Sequence, residues 1–566
     1  MSAKIYGTPV VQGVAYGTSA WINRPALPPE SAPYLPDHVR EDEVGRFLEA
    51  SDAVANGLFE KASHTDGEAA EVLIMTASMA TDRAWTKDVS TRIRSGIPAL
   101  QAVMAATERF VIQFETAGGL MAERVTDLRD VRDRVLARLQ GIPEPGIPDL
   151  DTPFILLADD LSPADTAGLD PATCLGIATK FGGPTSHTSI ISRQLGIPCI
   201  VAARGLGEVH NGQAVLLDAT QGTISTGIDE DEAAERVRLD RDRATKVSQW
   251  SGPARTADGV NIDLLANVAD PQSSHRAHDA GLAKGVGLLR TELAFLKTSV
   301  EPSVDEQTRI YVEALEPWAG HKVVIRTLDA GSDKPVPYAT LRDEPNPALG
   351  VRGIRTTGPF PKVLPNQLDA IAVAAMASPE VDVWVMAPMV STLSEAEWFV
   401  SLVAERNETF GVSLKAGIMI EVPATAILID QFLEVVDFVS IGTNDLTQYT
   451  MATDRESADL AEYSDPWQPA PLALIKHIAQ AGVRAGKPVG VCGEAAADPL
   501  LAAVLVGMGV TSLSMASGAI AGVGALLADH TLDECRTGAD AVIGAHDGAD
   551  ARYRVRVALG LLSARG

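Results

Sequence analysis

Gly285-Val286-Gly287-Leu288-Leu289-Arg290 is a short apolar, β-prone run that stops on an arginine. Runs of the same kind recur at Ile262 to Ala266, Lys322 to Ile325, Val383 to Met386, Ala416 to Ile420, Phe438 to Ile441, Pro488 to Val491 and Ser512 to Met515. The intervals leave room for a helical return, and Leu472 to Ala485 and Pro499 to Val506 read as helices. Eight βα units in about 300 residues predict a C-terminal (β/α)8 TIM barrel, with an open doubly wound sheet as the alternative.

In such a barrel the residues just past each strand face the catalytic end. They are Asn267, Arg290, Arg326, Pro388, Glu421, Asn444 with Asp445, Cys492 with Glu494, and Ser517. Any one of these has an ordinary structural explanation, because Arg and Glu often pair at domain edges. Together they suit a phosphorylated carboxylic acid. Arginine forks grip phosphate oxygens in pairs and neutralise a departing phosphoryl group. Two carboxylates at neighbouring strand ends can hold a hard cation such as Mg2+. A cysteine of ordinary pKa is mostly protonated at neutral pH and can donate a proton.

Residues 4 to 22 alternate loosely around Gly7, Gly13 and Gly17, as short strands and turns do. After a Pro-rich connection from Arg24 to Pro36 the pattern turns helical. Between about 37 and 140 it predicts four helices, separated by Gly67, by Gly96 with Pro98, and by Gly118-Gly119. Strand-like runs resume at Phe154 to Ala158, Cys174 to Ala178, Cys199 to Ala202 and Ala214 to Asp218, and the charged stretch from Asp229 to Lys246 reads as a linker helix. Within this part, Gly182-Gly183-Pro184-Thr185-Ser186-His187-Thr188-Ser189 breaks a strand and opens a short helix closed by Gly196. His187 then lies on a first helical turn, where free N–H groups and the positive dipole end favour an anion and keep the imidazole neutral.

At 566 residues the chain is expected to form two to four domains, and its formal charge of −27 argues against a nucleic-acid or anionic-membrane partner. Four scattered cysteines with no CxxC pair suggest neither a disulfide framework nor a zinc ribbon, and a reducing cytoplasm is expected. The N-terminus lacks the apolar core of a signal peptide, and Leu500 to Val510 is too short to span a bilayer.

The run GGxTSHTSIxxRxxGIP around His187 resembles the phosphohistidine loop of the phosphoenolpyruvate-utilising enzymes, most closely the Enzyme I group of the bacterial phosphotransferase system. The resemblance continues at Asp127 to Val131, Leu161 to Ala167, Gly285 to Glu292, Arg326 to Asp329, Asp333-Lys334, Asn346 to Arg355, Ile418 to Pro423, Ser440 to Tyr449 and Val491 to Glu494. It implies a swivelling phosphohistidine α/β domain (1–22 and 145–228), an inserted α-helical subdomain (23–144) that binds the carrier protein HPr, a linker helix (229–254), and a barrel (255–566) that binds phosphoenolpyruvate and dimerises. By the same resemblance, Arg290, Arg326 and Arg455 hold the substrate phosphate, Arg352 and Asn444 position it, and Glu421 and Asp445 ligate Mg2+. Cys492 protonates the enolpyruvate carbon, and His187 carries the phosphoryl group to a histidine of HPr. Pro184 is a departure, since many relatives carry Arg there. A pyruvate phosphate dikinase or phosphoenolpyruvate synthase would need a nucleotide-binding module, for which no Walker-type run appears. A non-catalytic regulator would be expected to have lost at least one of these residues. A lyase on the same barrel would leave His187 without a role.

Overall fold

The computed structural model describes residues 3–22, 27–29, 31–63, 68–117, 124–147, 150, 152–161, 165, 169–183, 186–292, 300–330, 336–341, 344–455, 457, 460 and 462–562, without the side chains of 3, 68–72, 117, 187, 190 and 194. The chain forms two compact units, Met1–Arg243 and Ala244–Gly566.

The first unit is built on an eight-stranded mixed sheet. Its strands are β1 (Ala3–Tyr6), β2 (Thr8–Val11), β3 (Val14–Trp21), β4 (Phe154–Ala158), β5 (Cys174–Thr179), β6 (Cys199–Val201), β7 (Ala214–Asp218) and β8 (Thr223–Thr226). The order is β1-β8-β7-β3-β4-β5-β6-β2, with β3 to β6 parallel and the outer pairings antiparallel. Alternate residues of β4 enter different cores, Ile155 and Leu157 one and Phe154 and Leu156 the other, because successive side chains point to opposite faces.

Between β3 and β4 lies a helical block of Arg40–Ser63, Glu68–Ala80, Arg83–Arg94, Ala99–Ala117 and Val125–Gln140. These are five helices among the described residues, not four. The extra break has neither Gly nor Pro: the Asp82 carboxylate accepts from the N–H groups of Ala84 and Trp85, both at 2.9 Å, and starts a new helix. The breaks expected at Gly67 and Gly118-Gly119 lie outside the described residues. Phe47, Val54, Leu58, Trp85, Val103 and Val131 form the core of the block.

The second unit contains a closed, all-parallel eight-stranded barrel of β9 (Asp263–Val268), β10 (Gly285–Leu289), β11 (Lys322–Arg326), β12 (Asp382–Ala387), β13 (Lys415–Ile420), β14 (Phe438–Gly442), β15 (Val489–Cys492) and β16 (Ser512–Met515). Each expected run overlaps a strand, with bounds that differ by one or two residues in most of them. Inside and outside alternate along each one. On β11, Val323 and Ile325 pack outward under the helices, while Val324 joins Leu288, Trp384, Met386, Met419, Phe438 and Cys492 inside. Three of these differences move strand-end candidates: Arg326 and Cys492 are the last residues of β11 and β15, not the first beyond them, and β9 runs on past its expected end. β9 continues its pairing with β10 to Val268, so Asn267 is a strand residue, hydrogen-bonded with Ser514 of β16, and not a loop residue beyond the strand.

Candidate active site

Two sequence features place His187. The helix His187–Leu195 starts where Ser186, in extended conformation, accepts from the Ser189 N–H at 3.4 Å, and it ends at Gly196, whose φ of 67° a residue with a side chain seldom adopts. Ser189 also donates through Oγ to the Gly183 carbonyl at 2.7 Å, which ties the double glycine to the first turn. His187 is the first residue of this helix. Its imidazole, together with Pro184 and Thr185, lies outside the described residues.

In the barrel unit, the strand ends gather most of the remaining candidates into one charged cluster. Arg326 ends β11 and pairs with Glu292 at 2.9 Å and Asp329 at 3.5 Å. Arg352 grips Asp329 through Nε and one terminal nitrogen at 3.1 and 2.7 Å, and reaches Asp445 with the other at 2.9 Å. That same nitrogen donates to the Tyr449 hydroxyl at 3.2 Å, and Tyr449 in turn donates to the Ala348 carbonyl. Arg455 approaches the second oxygen of Asp445 at 3.5 Å. Asp445 sits in the first turn of the helix Thr443–Met451, where the dipole favours a carboxylate. Beside it, Asn444 accepts through its side-chain oxygen from the N–H of Glu494 at 3.4 Å. Arg290 follows β10, is half-buried, and forms no ion pair with any described residue.

Glu421 follows β13 and is fully buried. One carboxylate oxygen accepts from the Met389 N–H at 2.6 Å, and the other has no hydrogen-bonding partner among the described residues. Burial, then the neighbouring charges of Asp445 and Asp329, push this carboxyl up to about 8 against the pull of Arg326 and Arg352. Asp329 goes the other way: burial would raise it, but Arg326 and Arg352 outweigh burial and hold it below the ordinary range. Cys492, the last residue of β15, is 2% exposed. Burial raises its pKa, opposed by a hydrogen bond from Ser440, so the thiol is the neutral, proton-carrying form near pH 7.

The orphaned oxygen of Glu421 fits a hard cation. Gly442 keeps the space beside it open, since a Cβ there would stand 2.7 Å from that oxygen. Among the described residues no group of three or more His, Cys, Asp and Glu forms a protein-only metal cage. Two carboxylates completed by substrate oxygens and water suit Mg2+. Charge agrees: near pH 7, with Glu421 protonated, Arg290, Arg326, Arg352 and Arg455 face Glu292, Asp329 and Asp445, and ionisation of Glu421 brings the count to four against four, a charge that a bound cation would answer.

Glu292, Asp329, Tyr449 and Ser440 were not singled out from sequence. Asp329 and Glu292 carried a signal, a carboxylate within three residues of each phosphate-binding candidate: Asp329 after Arg326 and Glu292 after Arg290.

Comparison with known proteins bears on what this arrangement serves. Residues 6–124, 150–222 and 243–532 match, in order, the N-terminal, mobile and phosphoenolpyruvate-binding domains of the PEP-utilising enzymes. The chain is 43% identical to a phosphoenolpyruvate-protein phosphotransferase of Streptomyces coelicolor over 560 residues, 99% of this chain and all of the relative. It is 39% identical to the protein of the same name from Haloferax volcanii over 550 residues, 94% of this chain and 95% of that one. A multiphosphoryl transfer protein of Xanthomonas campestris is 38% identical over 87% of this chain, which spans 57% of that longer protein. With the whole chain covered in this way, and a parallel barrel whose strand ends carry paired arginines and carboxylates, the protein belongs to the phosphoenolpyruvate-protein phosphotransferase family of PEP-utilising enzymes.

Proposed function

We propose that this phosphotransferase moves the phosphoryl group of phosphoenolpyruvate to Nε2 of its own His187 and then to a histidine of a small carrier protein of the HPr type, releasing pyruvate. The observation that carries this reading is the convergence of Arg326, Arg352 and Arg455 on shared carboxylates, in a barrel unit that also sets a buried neutral thiol near the orphaned Glu421 oxygen. The P–O bond of the substrate breaks as the P–N bond to His187 forms, and the enolate left behind takes the Cys492 proton on its methylene carbon. Arg290, Arg326 and Arg455 bind the phosphate oxygens and stabilise the charge that develops on them. Arg352, pinned between Asp329 and Asp445, and Asn444 orient the substrate in this scheme. Glu421 and Asp445 would hold Mg2+, which supplies the missing positive charge when bound. The transfer requires the His187-bearing domain to swivel and the inserted helical subdomain to dock the carrier. The same reading makes the protein a cytoplasmic homodimer joined through the barrel. No described helix is long and apolar enough to cross a membrane.

The test is incubation with labelled phosphoenolpyruvate and Mg2+ in the absence of nucleotide. Acid-labile, base-stable label should appear on the protein, be absent from His187→Ala, and move to an added HPr-type carrier. Labelling that needs ATP, or that survives His187→Ala, would overturn the assignment. Cys492→Ala should slow pyruvate formation far more than it weakens substrate binding, and unchanged turnover would remove Cys492 from the mechanism.

A further inference from the structure

We propose that Ser440 reloads the Cys492 thiol with a proton drawn through the barrel interior from the end opposite the charged cluster, an inference that rests on Cys492 being the proton donor. A thiol that gives up its proton in each cycle must regain one before the next. Cys492 is 2% exposed, so the residue has little contact with bulk water and the groups beside its sulfur matter for reloading. The hydroxyl that does reach it belongs to Ser440, which donates to Sγ at 3.3 Å, while the thiol itself points at the Ile441 carbonyl at 3.5 Å. The donor is therefore already aimed at the atom that becomes anionic.

Strand register continues the path. Ser440, Gly490 and Ser512 are Cα partners across β14, β15 and β16, and Gly442, Cys492 and Ser514 form the next inward-facing row. With no side chain on its central residue, the Ser440 row leaves a hollow. A Cβ on Gly490 would stand 2.9 Å from Ser512 Oγ and 3.8 Å from Ser440 Oγ. That space belongs to a small cavity lined by Gly287, Lys322, Trp384, Ser440, Gly490 and Ser512, among others. Two observations suit the cavity to the water molecule that the relay requires. The buried indole N–H of Trp384 has no partner among the described residues, and Gly490 and Lys322 remain partly accessible to solvent. Lys322 opens β11, and its ammonium lies 4.6 Å from the centre of the Trp384 ring.

The proton count closes. The thiolate takes the Ser440 hydroxyl proton as Ser440 takes one from a cavity water. That water takes one from the Lys322 ammonium, and the resulting amine is reprotonated by solvent. Each group ends the cycle as it began, and one proton has moved from solvent to sulfur.

Pyruvate formation by the full chain, with phosphoenolpyruvate, Mg2+ and excess HPr-type carrier, separates the first turnover from later ones, because resting enzyme starts with its thiol loaded. In Ser440→Ala, later turnovers should slow by about 100-fold or more relative to the first, the lower end of the range usual for a lost proton-transfer group. Gly490→Ala, which fills the hollow and removes no hydroxyl, should give the same split, and Ser440→Thr should reverse it. Wild-type turnover in Ser440→Ala, or a first turnover slowed as much as later ones, would overturn the relay. If Cys492→Ala also turns over normally, the underlying assignment of the donor has failed, not the relay alone.

Discussion

Arg352 is the side chain on which the charged cluster depends most. Its guanidinium makes three hydrogen bonds to two carboxylates, Asp329 at 2.7 and 3.1 Å and Asp445 at 2.9 Å. The Arg352 and Asp329 side chains are each only 4% exposed. Arg352→Met keeps much of the volume and removes the charge. Among the described residues, Asp329 then keeps an ion pair with Arg326 alone at 3.5 Å, and Asp445 with Arg455 alone at 3.5 Å. Breaking a buried pair from one side costs about 3–5 kcal/mol, because the stranded charge stays desolvated. For backbone amides of β11 to β14 that exchange only when the barrel opens, that cost corresponds to hydrogen exchange about 150- to 4,000-fold faster, measured by mass spectrometry. Adding Asp329→Asn removes the stranded charge and should return about 1–2 kcal/mol, although Asp329→Asn alone destabilises. Exchange less than about five-fold faster in Arg352→Met, or a double variant less stable than Arg352→Met, would refute the reasoning.

Two further outcomes follow from geometry. The Glu421 carboxyl sits at about 8 in the metal-free protein against an ordinary 4.5, so the folded state holds a proton that the unfolded state has released. That contribution to stability is complete below the ordinary value and is lost as pH rises through the folded one. With a chelator present, Tm should therefore fall from pH 5 to 8.5 more steeply in the wild type than in Glu421→Gln, and parallel slopes would contradict it. In the helical block, Asp82→Ala removes two cap bonds and should cost about 1 kcal/mol, read as roughly five-fold faster exchange of the Arg83–Arg94 amides, with unchanged exchange refuting the cap.

The barrel was legible because its strands are short apolar runs bounded by charged or turn residues, a pattern that local chemistry produces and tertiary context seldom overrides. β8 escaped because Thr-Ile-Ser-Thr has one large apolar residue, and its burial comes from lying between β1 and β7. The Asp82 break escaped because breakers were sought as glycine and proline, whereas a side-chain cap ends one helix and starts another without either. Arg326, Arg352, Asp445 and Arg455 do meet in the structure, but their pairing is set by which loops fold over the barrel mouth. Ser440 could not be found at all from sequence. Its meaning depends on a sulfur 52 residues away, brought adjacent by the pairing of β14 with β15.

The balance of four arginines against four carboxylates has a thermodynamic consequence. Once Glu421 is ionised the cluster carries no net charge, and an anion alone or a cation alone then leaves its own charge unanswered in a desolvated site. Joint occupancy offsets the charge of one ligand with that of the other, so Mg2+ and phosphoenolpyruvate should each tighten the binding of the other by the same factor, as linkage demands. The inward-facing charges would then act as a coincidence detector, closing fully only when both ligands are present.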